Sequence, residues 1–129
     1  MHMWNVLVID DCVYARTTLI HQLKKLKCGV FEAANREAIL GSMQQNNIDL
    51  LVTDWHIHDY TGADVIKLVR QCVKYEKIPI AVATSDYAIA QSDIAIQAGA
   101  DICFFKPVRF QQLQHWLTSL RFCANKIGS

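Results

Sequence analysis

The sequence has no surplus of charge, no long apolar run and no close pair of cysteines, and each absence removes a class of protein. Lysine and arginine total 13 against 12 acidic residues, leaving a formal net charge of +1. That balance gives no electrostatic footprint for nucleic acid or for an anionic membrane. No apolar stretch approaches the roughly 20 residues needed to span a bilayer. Met1-His2-Met3-Trp4-Asn5 lacks a basic segment leading into an apolar one. No secretory signal is read there, and a cytoplasmic location is expected. The five cysteines (Cys12, Cys28, Cys72, Cys103, Cys123) are scattered without a C-x-x-C pair. Reduced thiols are the expectation, rather than a disulfide frame or a zinc site. His56-x-His58 offers two imidazoles without the further nitrogen or sulfur ligands that zinc requires.

What is present describes a globular protein, 52% hydrophobic and 19% charged. Such a composition supports one proper core at this length. With no linker, repeat or low-complexity segment, residues 1–129 are read as one domain, its core over about 5–122.

Short apolar runs alternate with helical patterns. Strands are expected at 5–9, 30–34, 49–53, 80–83 and 101–105. Between and after them, helices are expected at 14–27, 35–45, 63–75, 87–97 and 110–122. In the first helix Leu19, Ile20, Leu23 and Leu26 recur at helical spacing. The third carries Val65, Ile66, Leu68, Val69, Cys72 and Val73 on its apolar side. The fourth is alanine-rich and weakly patterned, so it is expected to pack least firmly. Five strands alternating with five helices predict an α/β fold, a doubly wound parallel sheet with helices on both faces.

The polar residues that follow the strands are the informative ones. Asp10-Asp11 follow the first, Asp54 the third, Thr84-Ser85 the fourth and Lys106 the fifth. Singly, each has a plainer reading as a helix cap, a turn residue or a solvated charge. In a doubly wound sheet, however, all of them lie at the same edge. Three carboxylates repel one another unless a cation sits among them. All-oxygen ligands suit a hard ion such as Mg²⁺. A carboxylate is a competent nucleophile toward phosphorus, and a metal with an ammonium neutralises the transferring group.

These residues in this order resemble a response-regulator receiver domain of the kind that includes the chemotaxis receiver. The likeness runs from Asn5 to about Leu120. It is carried by Asp10-Asp11 after V-L-V-I, Arg16, Asp54 with Gly62, I-P-I-A-V-A-T-S (78–85), A-G-A-D (98–101) and F-K-P (105–107). The resemblance implies a flavodoxin-like sheet of order 2-1-3-4-5 and Asp54 as phosphoacceptor. Asp10, Asp11, Asp54 and the backbone carbonyl of His56 become the Mg²⁺ ligands, Thr84 the switch hydroxyl and Lys106 the phosphoryl partner. Pro107 matches a family proline whose preceding peptide bond is usually cis, which would aim Lys106 inward.

Three positions depart from the family pattern. Cys103 stands three residues before the lysine, where a tyrosine or phenylalanine normally acts as a two-position lever. Ile57 and His58 replace a methionine and a proline after the acceptor, and His58 frees a backbone angle that proline would fix. His56 and Asp86 occupy rim positions that in the family influence phosphoryl lifetime.

The expected function is that of a phosphoacceptor in a two-component phosphorelay, a signalling domain and not an enzyme. Its donor would be a histidine kinase or a histidine phosphotransfer protein. A downstream protein target or output domain would read a surface built from the fourth helix, fifth strand and fifth helix. No direct nucleic-acid or membrane partner is expected. A homodimer would involve Phe104, Phe105 and Tyr87. The alternative is a receiver-fold binding module that signals without phosphotransfer, motivated by Cys103. A haloacid-dehalogenase-type phosphatase would need a second aspartate two residues after Asp54, where His56 stands.

Overall fold

A computed structural model describes residues 3–128. Met1, His2, Ser129 and the side chains of residues 123–128, Cys123 among them, lie outside that description. In chain order the elements are β1 (Asn5–Ile9), α1 (Val13–Lys25), β2 (Gly29–Ala33), α2 (Arg36–Gln45) and β3 (Leu50–Thr53). A two-residue hairpin follows, β4 (His56–Ile57) and β5 (Tyr60–Thr61), then α3 (Gly62–Arg70) and a 3₁₀ turn (Val73–Tyr75). The chain continues through β6 (Ile80–Thr84), α4 (Tyr87–Gln91), α5 (Ile94–Gln97), β7 (Ile102–Phe105) and α6 (Phe110–Gly128).

The main sheet is parallel throughout, in the order β2-β1-β3-β6-β7. This is the expected 2-1-3-4-5 order, with β6 and β7 as its fourth and fifth strands. Strand alternation sorts the side chains into two cores. On one face Leu7, Ile9, Leu51 and Val82 pack with Ile39 and Met43 of α2, Val65 and Ile66 of α3 and Ala95 of α5. On the other, Val6, Val8, Leu50, Val52 and Ala83 meet Leu19 and Leu23 of α1 and Leu113, Trp116 and Leu117 of α6. Because β1 and β3 are covered on both sides, they read as unbroken apolar runs.

Among the described residues six helices replace the five expected, because the fourth is broken at Ser92-Asp93. The Ser92 hydroxyl donates to the Ile89 carbonyl and accepts from the Ile94 N–H. Those local bonds compete with the helical ladder. The third helix also stops early, at Arg70, and Val73 is 83% exposed instead of facing the core. The tighter turn that follows buries Tyr75, whose hydroxyl reaches the Met43 and Asn46 carbonyls at 3.0 and 2.8 Å and accepts from the Ile48 N–H. Tyr75→Phe keeps the ring but strands those buried partners. It is expected to lower unfolding stability by about 1–3 kcal/mol, read from the urea midpoint at unchanged slope.

Alternation also sends Cys103 and Phe104 to opposite faces. Cys103 is half-buried on the α3 side, and Phe104 is buried edge-on against Trp116. Phe104 is therefore withdrawn from any dimer surface. Phe105 and Tyr87 remain exposed, their rings 5.4 Å apart in a T-shaped contact. Among the described residues, no helix is long and apolar enough to cross a membrane.

Candidate functional site

Parallel strands bring their carboxyl ends to one edge, and that edge gathers the acidic residues. Asp10 follows β1 and is 3% exposed, while Asp11 beside it is open to solvent. Asp54 follows β3, and its N–H donates to the Ile9 carbonyl, so the register of β1 and β3 sets its distance from Asp10. One carboxylate oxygen from each of Asp10, Asp11 and Asp54 lies within 4.8 Å of the other two.

Lys106 enters from the end of β7. Its Nζ donates to Asp10 Oδ2 at 2.6 Å and to Asp54 Oδ2 at 3.1 Å. The Lys106–Pro107 peptide bond is cis, as the sequence pattern implies. The Lys106 N–H donates to the Thr84 carbonyl, which ties it to β6. Thr84 is fully buried, and its hydroxyl accepts from the Asp86 N–H at 3.0 Å. That bond uses the oxygen as acceptor and leaves the hydroxyl proton free to donate. Arg16 braces the acid pair from behind, bonding the Asp10 carbonyl at 2.6 Å and Glu32 at 3.0 Å.

Burial raises the Asp54 pKa, and the neighbouring Asp10 charge adds to the rise. The Lys106 ammonium and the Trp55 N–H oppose the shift without cancelling it. For Lys106 burial works against the ammonium, but hydrogen bonding and attraction from Asp10 and Asp54 outweigh it, so its pKa is raised. The pocket thus holds more negative charge than its single ammonium neutralises. A small hard cation suits that imbalance and the all-oxygen donor set.

Gly62 makes the surroundings of Asp54 possible. A Cβ there would stand 2.8 Å from the Trp55 ring and 3.1 Å from the Asp54 carbonyl. Without it, the start of α3 packs directly on the Asp54–Trp55 segment, and the Gly62 N–H reaches the Trp55 carbonyl at 2.7 Å. Thr61 and Asp64 close a capping box over the same turn. The spacing T-x-x-D was its signal in the sequence.

The rim holds a feature that sequence reasoning located only as two separate residues. His56 Nε2 and Asp86 Oδ2 are 2.8 Å apart, linking β4 to the start of α4. Asp86 also caps α4 by accepting the Ile89 N–H. The His56 hydrogen bond, followed by the Ile89 N–H, holds the Asp86 carboxyl below the usual range. The His56 side chain thus bridges the segments that follow β3 and β6. Cys103, on the sheet's α3 side, has its thiol pKa pushed up by burial. The pairing across the rim depends on the folded hairpin, which the sequence reads only as a polar loop.

With this geometry in view, the likenesses are specific. Residues 6–118 match the family model described as the response regulator receiver domain. A chemotaxis protein CheY homolog of Campylobacter jejuni subsp. jejuni is 30% identical over 115 residues, covering 88% of each chain. The solved structure of the Vibrio cholerae chemotaxis protein CheY4 superposes with a TM-score of 0.81 at 27% identity. It spans 92% of this chain and 98% of that one. A Burkholderia pseudomallei response regulator, solved with a phosphorylated aspartic acid, calcium ion and citrate, superposes with a TM-score of 0.75 at 25% identity. The match covers 86% of this chain and 64% of that one.

Proposed function

Because the chain belongs to the response regulator receiver domain family, we propose that Asp54 accepts a phosphoryl group from a phosphohistidine. The observation that carries this is the Asp54 carboxylate held between an acid pair and the Lys106 ammonium, 3.1 Å away. An Asp54 oxygen attacks phosphorus, forming a P–O bond as the P–N bond breaks and the imidazole leaves with its electron pair. The phosphorylated aspartic acid of the Burkholderia pseudomallei structure supports this reading.

Asp10, Asp11, Asp54 and the His56 carbonyl would hold Mg²⁺, which neutralises phosphoryl oxygens when bound. Lys106 offers its ammonium to the same group. Thr84 offers its hydroxyl proton, and reorienting that hydroxyl releases the Asp86 N–H at the start of α4. Phosphorylation then shifts the equilibrium of the surface made by α4, α5, β7 and α6. The donor is a histidine kinase or histidine phosphotransfer protein, and a downstream target or output domain reads the surface. The domain acts stoichiometrically, as a signal carrier in the cytoplasm, rather than as an enzyme.

Trp55 reports on this site. It is buried beside Asp54, and its backbone N–H donates to Asp54 Oδ1 at 2.7 Å. Its emission is expected to change on titration with Mg²⁺ and again on adding phosphoramidate. Both changes should disappear in Trp55→Phe, and the second in Asp54→Asn. Emission indifferent to both additions would favour a binding module that works without phosphotransfer.

A further inference from the structure

We propose that His58 is a positioning residue for Asp11, acting through its backbone N–H and not through its imidazole. This rests on the acidic cluster being the metal pocket proposed above. Each of the three carboxylates accepts one backbone N–H: Asp10 from Cys12 at 2.9 Å, Asp54 from Trp55 at 2.7 Å, and Asp11 from His58 at 2.8 Å. The first two donors are sequence neighbours and come with the strand ends. The third arrives from 47 residues away, at the tip of the hairpin. Lys106 bonds Asp10 and Asp54. Asp11 is the exposed member, and His58 ties it to the opposite wall of the cleft.

The hairpin dictates which residues can do this. His56 pairs with Thr61 and Ile57 with Tyr60, leaving His58 and Asp59 as a two-residue loop. Favoured loops of that length place the first central residue at positive φ, and His58 has φ 35°. Histidine is among the residues enriched in left-handed conformations. Proline is locked near a φ of about −65° and has no N–H to give. The same backbone therefore excludes proline and presents a donor to Asp11. Gly62 bonded to Trp55 and the Thr61–Asp64 capping box fix the hairpin's base, so the N–H is held and not merely nearby. The imidazole is 84% exposed, 3.6 Å from Asp59, and takes no part. Hydrogen bonds from outside a ligand set orient ligating carboxylates, and losing one typically costs about 10–100-fold in metal affinity.

The test compares Mg²⁺ affinity, read from Trp55 emission, in wild type, His58→Ala, His58→Gly and His58→Pro. Alanine and glycine keep the N–H and should bind within about twofold of wild type. Proline removes it and should weaken binding by about tenfold. A second readout needs no metal. The amide proton of residue 58 should resonate downfield, keep that shift in His58→Ala and lose it in Asp11→Ala. Wild-type affinity in a folded His58→Pro, or equal loss in His58→Ala and His58→Pro, would overturn the proposal. So would a residue 58 amide indifferent to Asp11→Ala, which decides the matter alone if the proline variant does not fold. Failure of wild type to bind Mg²⁺ while the amide shift behaves as described would count against the metal site and not against the tether.

Discussion

Lys106→Met is expected to destabilise the metal-free protein by about 3 kcal/mol, the largest loss expected from a single change at this site. The Lys106 side chain is 17% exposed, Asp10 4% and Asp54 13%, so water screens these pairs poorly. Removing the ammonium leaves two carboxylates facing each other in a largely buried pocket. The pH dependence follows from the raised Lys106 pKa. A cation favoured by the fold contributes its full stabilisation below the ordinary lysine value of 10.5 and loses it as pH rises through the folded-state pKa. The deficit of the variant should therefore be complete at neutral pH and shrink only in strong alkali. Urea unfolding at pH 7 and at alkaline pH measures it. Added Mg²⁺ should recover part of the loss, because a cation held by Asp10, Asp11 and Asp54 would offset the repulsion between their carboxylates.

Asp54→Asn, which removes the other end of the same ion pair, is expected to act in the opposite direction. It should abolish phosphorylation and yet stabilise the metal-free fold at pH 7, because the fold disfavours the Asp54 charge. Burial is the largest influence on the Asp54 carboxyl, and its charged form is disfavoured in the fold. With a raised pKa, the folded state binds the proton more tightly than the unfolded chain. The cost of ionisation is absent at low pH and appears as pH rises through the folded-state pKa. The asparagine variant should therefore match wild type in acid and exceed it at neutral pH. Lys106 keeps its 2.6 Å contact with Asp10 in that variant, so no ammonium is left unpaired. Opposite stability effects from the two ends of one ion pair would mark a pocket organised for binding a cation and a phosphoryl group at some cost to stability.

Much of this site was legible in the chain because a parallel sheet converts sequence order into spatial convergence. Val6–Ile9 and Leu50–Thr53 are buried on both faces, so their apolar runs and the aspartates ending them stand out. Alternation alone separated Cys103 from Phe104 correctly. The parts that were not legible depend on side chains competing with backbone geometry. Ser92 splits a helix whose alanine-rich pattern looks continuous. Val73 keeps helical spacing, but the turn anchored by Tyr75 exposes it. The His56–Asp86 pair and the His58–Asp11 contact exist only once the hairpin closes, and their partners are 30 and 47 residues apart. The position of His58 showed only that an angle had been freed; the structure shows where the freed N–H goes.

The central claim is that Asp54 takes the phosphoryl group, and intact-protein mass tests it most directly. Wild type and Asp54→Asn are each incubated with phosphoramidate and Mg²⁺, with a parallel sample in EDTA. The expected result is the addition of one phosphoryl group to wild type, dependent on Mg²⁺ and absent from Asp54→Asn. No gain in wild type, or an equal gain in the asparagine variant, would contradict it.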